Sequence, residues 1–130
     1  MTRAAGTFDV KTALTNHPPD PTIGSMSLAK QYHGDLEATA KGEMLWVGDP
    51  ASGNAGSVAI ERVRGTLGGK TGSFAFMLSG VMVKGTAPQM TVTIIPGSGT
   101  EGLSGIYGAL TIIITPGKHS YTLDYAFSAQ

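Results

Sequence analysis

Acid–base and metal chemistry in this chain is sought first among three histidines and nine carboxylates, and cysteine is absent. The histidines are His17 in a proline-rich loop, His33 before Gly34, and His119 after Gly117-Lys118. No two share the HxH or HxxxH spacing that puts imidazoles on one metal, so a metal site is not expected. His33 and His119 read as turn-stabilising residues. Among the carboxylates, Glu61, Glu43 and Asp124 are the candidates for burial. Glu61 and Arg62 are neighbours on one extended segment and point to opposite faces, so they do not pair with each other. An inward Arg62 would be costly unless bonded to a carboxylate or a ligand oxygen, and would then be the best polar anchor in an apolar interior. The preferred reading turns Arg62 outward on a bulged strand. Ser98 in PGSGTEG and Ser104 in GLSGIYG lie between glycines but not between a strand and a helix, as a nucleophile elbow requires, and read as turn serines. The same glycine-rich segment lacks GxxxxGK[ST] followed by a helix, which excludes a phosphate cradle of that kind. No residue is assigned a catalytic role, and no cofactor is implied.

The elements that must position these groups are strands. Nineteen glycines and seven prolines punctuate the chain, and no sustained helical period lies between them. Alternating or β-branched runs near 5–13, 25–33, 35–47, 56–65, 71–81, 89–95, 108–115 and 119–127 predict eight strands joined by turn-rich connectors. An all-β meander of that size removes its edges by closing into an eight-stranded antiparallel barrel, with an interior either filled or holding one small ligand. The inner row is expected to be Phe8, Val10, Met26, Leu28, Val58, Ile60, Phe74, Phe76, Leu78, Met90, Val92, Ile94, Leu110, Ile112 and Ile114. Ser27, Gln31, Glu37, Thr39, Lys41, Thr91, Thr93, Thr111, Thr115, Thr122 and Asp124 form the outer row. GSFAFMLSG (72–80) is apolar on both faces, which suits a core strand, a cavity wall or a subunit contact. The segment from Thr15 to Gly24 reads either as a lid at the barrel mouth or as a plain crossing.

One domain over 1–130 is expected from the length. Nine basic against nine acidic residues give no basic stripe, so nucleic acid is not an expected partner. MTRAAGTFDVKT has no apolar core of a secretion signal, and no apolar run is long enough to span a bilayer as a helix; a cytoplasmic location and no membrane partner follow as expectations. Charged residues make up only 14% of the chain. That share suits a homo-oligomer, dimer or higher, or equally a merely polar exterior.

QYHGDLEATAKGEML (31–45), VAIERVRGTLGGKTGSF (58–74), APQMTVTIIPGSGTEGLSGIYG (87–108) and GKHSYTLDY (117–125) together resemble a family of small bacterial proteins known only as a domain of unknown function. That family looks like the allene oxide cyclase type of barrel within the calycin group. The resemblance implies an antiparallel barrel, often oligomeric, without an established activity. Against the family pattern, FAFMLSG replaces FVLQHSG, GSVAIERV replaces GYVAIERV and AKQYHGD replaces DKQFHGD, and Trp46 stands where a small residue is common. Polar groups leave and large apolar groups arrive, the direction expected of a cavity remodelled, naturally or by engineering, for a greasy and rigid molecule.

The leading expectation is therefore a barrel that binds a hydrophobic, steroid- or sterol-like small molecule. Its walls would come from Leu28, Trp46, Ile60, Phe74, Phe76, Leu78, Met90 and Val92, with polar contacts from Tyr32, Ser57, Arg62, Tyr107 and Tyr121. Two rivals stand beside it: a cofactor-free isomerase or cyclase by analogy to the cyclase barrels, and a solidly packed structural oligomer.

Overall fold

A computed structural model describes residues 1–15, 18–87 and 89–128; His17 lies outside them. Nine strands follow in order: β1 (Thr2–Leu14), β2 (Gly24–Gly34), β3 (Leu36–Asp49), β4 (Asn54–Leu67), β5 (Lys70–Met82), β6 (Gln89–Ile94), β7 (Thr100–Glu101), β8 (Ile106–Thr115) and β9 (Lys118–Phe127). The ladders run β4-β3-β2-β1-β9-β8-β6-β5, all antiparallel, the β4–β5 ladder completes a circuit, and β7 pairs with β5. The result is a closed eight-stranded meander, with the two-residue β7 as an extension of β6. Among the described residues no helix is long and apolar enough to cross a membrane.

Turn chemistry sets the hairpins where the sequence demands it. β4 and β5 are joined by Gly68 and Gly69, both at positive φ (57° and 81°), the pair of left-handed residues that a tight hairpin matching strand twist requires. β7 lies in the glycine-rich segment that reads as a connector. β6 and β7 run along the same edge of β5, against residues 76–81 and 72–73 respectively. Between them the chain bulges outward. Ile95 donates its N–H to the Ala75 carbonyl at 2.8 Å. Ser98 Oγ accepts from the Ala75 N–H at 2.9 Å and donates to the Ile95 carbonyl at 2.6 Å. The serine side chain thus supplies the acceptor that the bulge takes from the Ala75 N–H, and the Ser98 N–H itself bonds the Ile95 carbonyl at 3.1 Å.

The predicted faces hold on β2, β5, β6 and β8 but not on β4. Val58 and Ile60 are 55% and 59% exposed, whereas Ala59, Glu61 and Val63 are buried. β4 carries apolar groups at both parities, so alternation alone does not choose its inner face. Pairing with β3 and β5 along its whole length does, and a slip of one residue would reverse every side chain. Arg62 accordingly points out without a bulge in its own strand, and its Nη1 donates to the Ser98 carbonyl at 3.1 Å.

The interior is packed in one half only. At the end holding the β2–β3 and β4–β5 turns, Tyr32, Leu36, Leu67, Phe74, Phe76, Leu103, Ile106, Tyr121 and Leu123 are all sealed from solvent. The Tyr121 hydroxyl accepts from the Leu36 N–H and donates to the His33 carbonyl, each at 3.0 Å. Ala38 and Ala40 on β3 are the small inward residues opposite Tyr32 and Lys30 on β2. Large groups on one strand thus meet small ones on the next, as close packing of a narrow barrel requires. The other half, toward the β1–β2, β3–β4 and β5–β6 connections, is not filled.

Candidate functional site

The unfilled half is an apolar cup. A mouth cavity of about 440 Å³ is lined by Met26, Met44, Trp46, Ser57, Gly80 and Met90 among others. It adjoins a deeper one of about 180 Å³ reaching Phe8, Leu28, Lys30, Leu78 and His119. Met44, Ser57, Gly80 and Met90 border both. Four methionines, Met26, Met44, Met82 and Met90, give the mouth an adaptable surface. Trp46 pairs with Gly24 across the β2–β3 ladder, and a Cβ on Gly24 would collide with the indole. The glycine is thus the seat of the ring, which lies across bare backbone at the rim.

Below the cup lies a polar cluster in the apolar core. Lys30 Nζ stands 2.9 Å from Glu61 Oε2, with 7% and 1% of the two side chains exposed. The ammonium also stands 5.2 Å from the centre of the Phe8 ring and 5.9 Å from that of Tyr32, positions in which aromatic faces favour a cation. Tyr32 donates its hydroxyl to Glu61 Oε1. Burial, and then the Glu61 charge, push the Tyr32 hydroxyl well above the ordinary phenol range, so the phenol keeps its proton and serves as a donor. Oε2 meets Lys30 as an ion pair by distance but outside hydrogen-bond angles, and no donor among the described residues bonds to it.

Of the residues read as a pocket from sequence, Leu28, Trp46, Ser57, Leu78 and Met90 line the cup. Tyr32, Phe74, Phe76, Val92 and Tyr121 point inward but are buried in the packed half or beneath the floor. Ile60, Arg62 and Tyr107 lie on the outer surface and cannot reach the cavity; Tyr107 is 42% exposed. Glu61 is buried as expected, while Glu43 is exposed and Asp124 sits outside, paired with Arg3 at 2.8 Å. His119 is not a turn residue: it lies inside β9, borders the deeper cavity and packs on Phe8 with ring centres 5.2 Å apart. No described residue of the segment from Thr15 to Gly24 lines the cup.

Lys30 is the residue that sequence reasoning missed. Its parity with Leu28 and Tyr32 placed it inward, but a lysine is almost never fully buried unless paired. Its partner is 31 positions away (61 against 30) on a strand whose face was misread. The two-sided apolarity of GSFAFMLSG also resolves. Phe74 and Phe76 fill the packed half, and Leu78 lines the cup. Ala75 is covered by the bulge, and Met77 is 51% exposed outside.

Among the described residues no group of three or more His, Asp or Glu is placed to hold a metal ion. The cup can take an apolar molecule whose inner end would meet an ammonium, with a carboxylate and a phenol directly behind.

Residues 4–125 match the family described as "Protein of unknown function (DUF3224)". No curated protein matches the chain. A crystal structure of a protein of unknown function from the same family, from Shewanella oneidensis MR-1, is similar over 100% of this chain and 99% of its own, at 37% identity and a TM-score of 0.92. With nearly its whole length matched in sequence and in fold, the chain belongs to the DUF3224 family.

Proposed function

We propose that the barrel binds a hydrophobic small molecule of rigid, steroid- or sterol-like shape in the cup between Trp46 and Lys30. The observation that carries this reading is the asymmetry of the interior. Side chains meet across the axis in one half, while the other keeps about 440 Å³ at its mouth, walled by methionine and tryptophan. That volume falls in the ordinary range for small-molecule sites, roughly 300–1,000 Å³. Each large apolar group taken out of water contributes roughly 1.5–3 kcal/mol, and a rigid ligand loses little freedom on binding. Trp46, Ser57 and Leu78, three of the departures from the family pattern, all border the cup, which supports a cavity remodelled in this chain.

Thermal denaturation with a panel of steroids, fatty acids and polyketides tests the reading. A selective rise in melting temperature with multi-ring compounds, accompanied by a change in Trp46 emission, is expected. A flat panel with unchanged emission would overturn it. The cofactor-free isomerase is the second reading, favoured by Lys30 at the deeper cavity with Glu61 2.9 Å from its ammonium. Turnover of a bound panel member, lost in Glu61→Gln, would establish it instead.

A further inference from the structure

We propose that Lys30 and Glu61 form a head-group site for a neutral oxygen, a hydroxyl or carbonyl at the buried end of the ligand; this rests on the cup being a ligand site. Three observations converge on it. Lys30 borders the deeper cavity, so a molecule that passes the mouth comes up against a cationic side chain there. An ammonium has three N–H donors, and here one carboxylate oxygen and two ring faces surround it, leaving the cavity side for a further acceptor. Glu61 Oε2 lies 2.9 Å from that ammonium and, although buried, accepts no hydrogen bond among the described residues.

Charge selects the class. Lys30 and Glu61 already cancel, so a ligand carboxylate would bring an unbalanced negative charge into a nearly dry site beside Glu61. A ketone oxygen accepts from Nζ without adding charge. A hydroxyl does the same and carries a proton that can be donated to Oε2, so it answers both groups at once. A hydrocarbon end answers neither. His119 is the other titratable group facing the cavity and lies against Phe8, so the comparison belongs at one fixed pH.

The experiment measures dissociation constants, by quenching of Trp46 and by calorimetry, for one four-ring skeleton carrying a terminal hydroxyl, a ketone, a carboxylate or hydrogen. The hydroxyl and ketone forms should bind about ten-fold or more tighter than the bare skeleton, the margin expected of a hydrogen bond to a charged group. The carboxylate should bind more weakly than either. Lys30→Met combined with Glu61→Gln, which keeps the site neutral, should erase that margin, so that the hydroxyl, ketone and bare forms bind alike. Equal binding of all four, or tightest binding by the carboxylate, would overturn the head-group site while leaving the cup intact. A series in which no member binds would overturn the cup itself. The wild-type series decides the matter even if the double variant does not fold.

Discussion

Glu61 has 1% of its side chain exposed, yet it faces an ammonium on one oxygen and a phenol on the other. Burying a carboxylate this deeply is tolerable only because both partners are in place. The pair need not add net stability, because desolvation offsets most of the attraction, but removing one partner leaves the other charge stranded. Lys30→Met alone should therefore lower the unfolding free energy by about 3 kcal/mol or more. The double variant Lys30→Met with Glu61→Gln should recover most of that loss in urea denaturation. Two independent, additive losses would show that the groups do not act as a pair. Glu61 stood out in the sequence as a candidate for burial, but its partner did not. A lysine between Gln31 and Ala29 reads as a solvated residue until strand parity is taken literally and the facing strand is known.

At the scale of elements, β4 and β5 show what alternation can and cannot decide. On β5, Phe74, Phe76 and Leu78 leave no doubt about the inner face. On β4, Val58 and Ile60 compete with Val63 and Leu67, and two ladders of neighbouring strands settle the contest. The broken strand β6–β7 was half legible: β6 carries a β-branched run, while the bulge and β7 are hidden among glycines. Ser98 holds that break together from inside the bulge. Ser98→Ala should cost about 1–3 kcal/mol, the penalty for leaving the Ala75 N–H without its acceptor, while the Ile95 carbonyl keeps the Ser98 N–H at 3.1 Å. Because the bulge lies on the outside of β5, away from the cup, Trp46 emission should not change. A loss of stability below about 0.5 kcal/mol in chemical denaturation would mean that water replaces the serine without penalty.

Across the whole molecule, the barrel is a plug at one end and a cup at the other. Large sealed side chains gather around Tyr32, Phe74, Leu103 and Tyr121, while the rim is formed by Trp46, Ser57, Gly80 and Met90. Local opening follows buried contact, so amides of the plug should exchange hydrogen slowest and those near Gly24, Trp46, Gly80 and Met90 fastest among the strands. Ligand should slow exchange at the rim and leave the plug unchanged. Uniform protection along each strand would contradict this division. The strands, their turns, their antiparallel order and the inner faces of β2, β5, β6 and β8 were determined by the sequence itself, because alternation and turn-forming residues are local properties. The inner face of β4, the Lys30–Glu61 pair, the bulge at Ser98 and the half-empty interior were decided only by tertiary structure. Each depends on which residues meet across ladders or across the axis, and side-chain volumes summed around a closed circuit are not readable from any one segment.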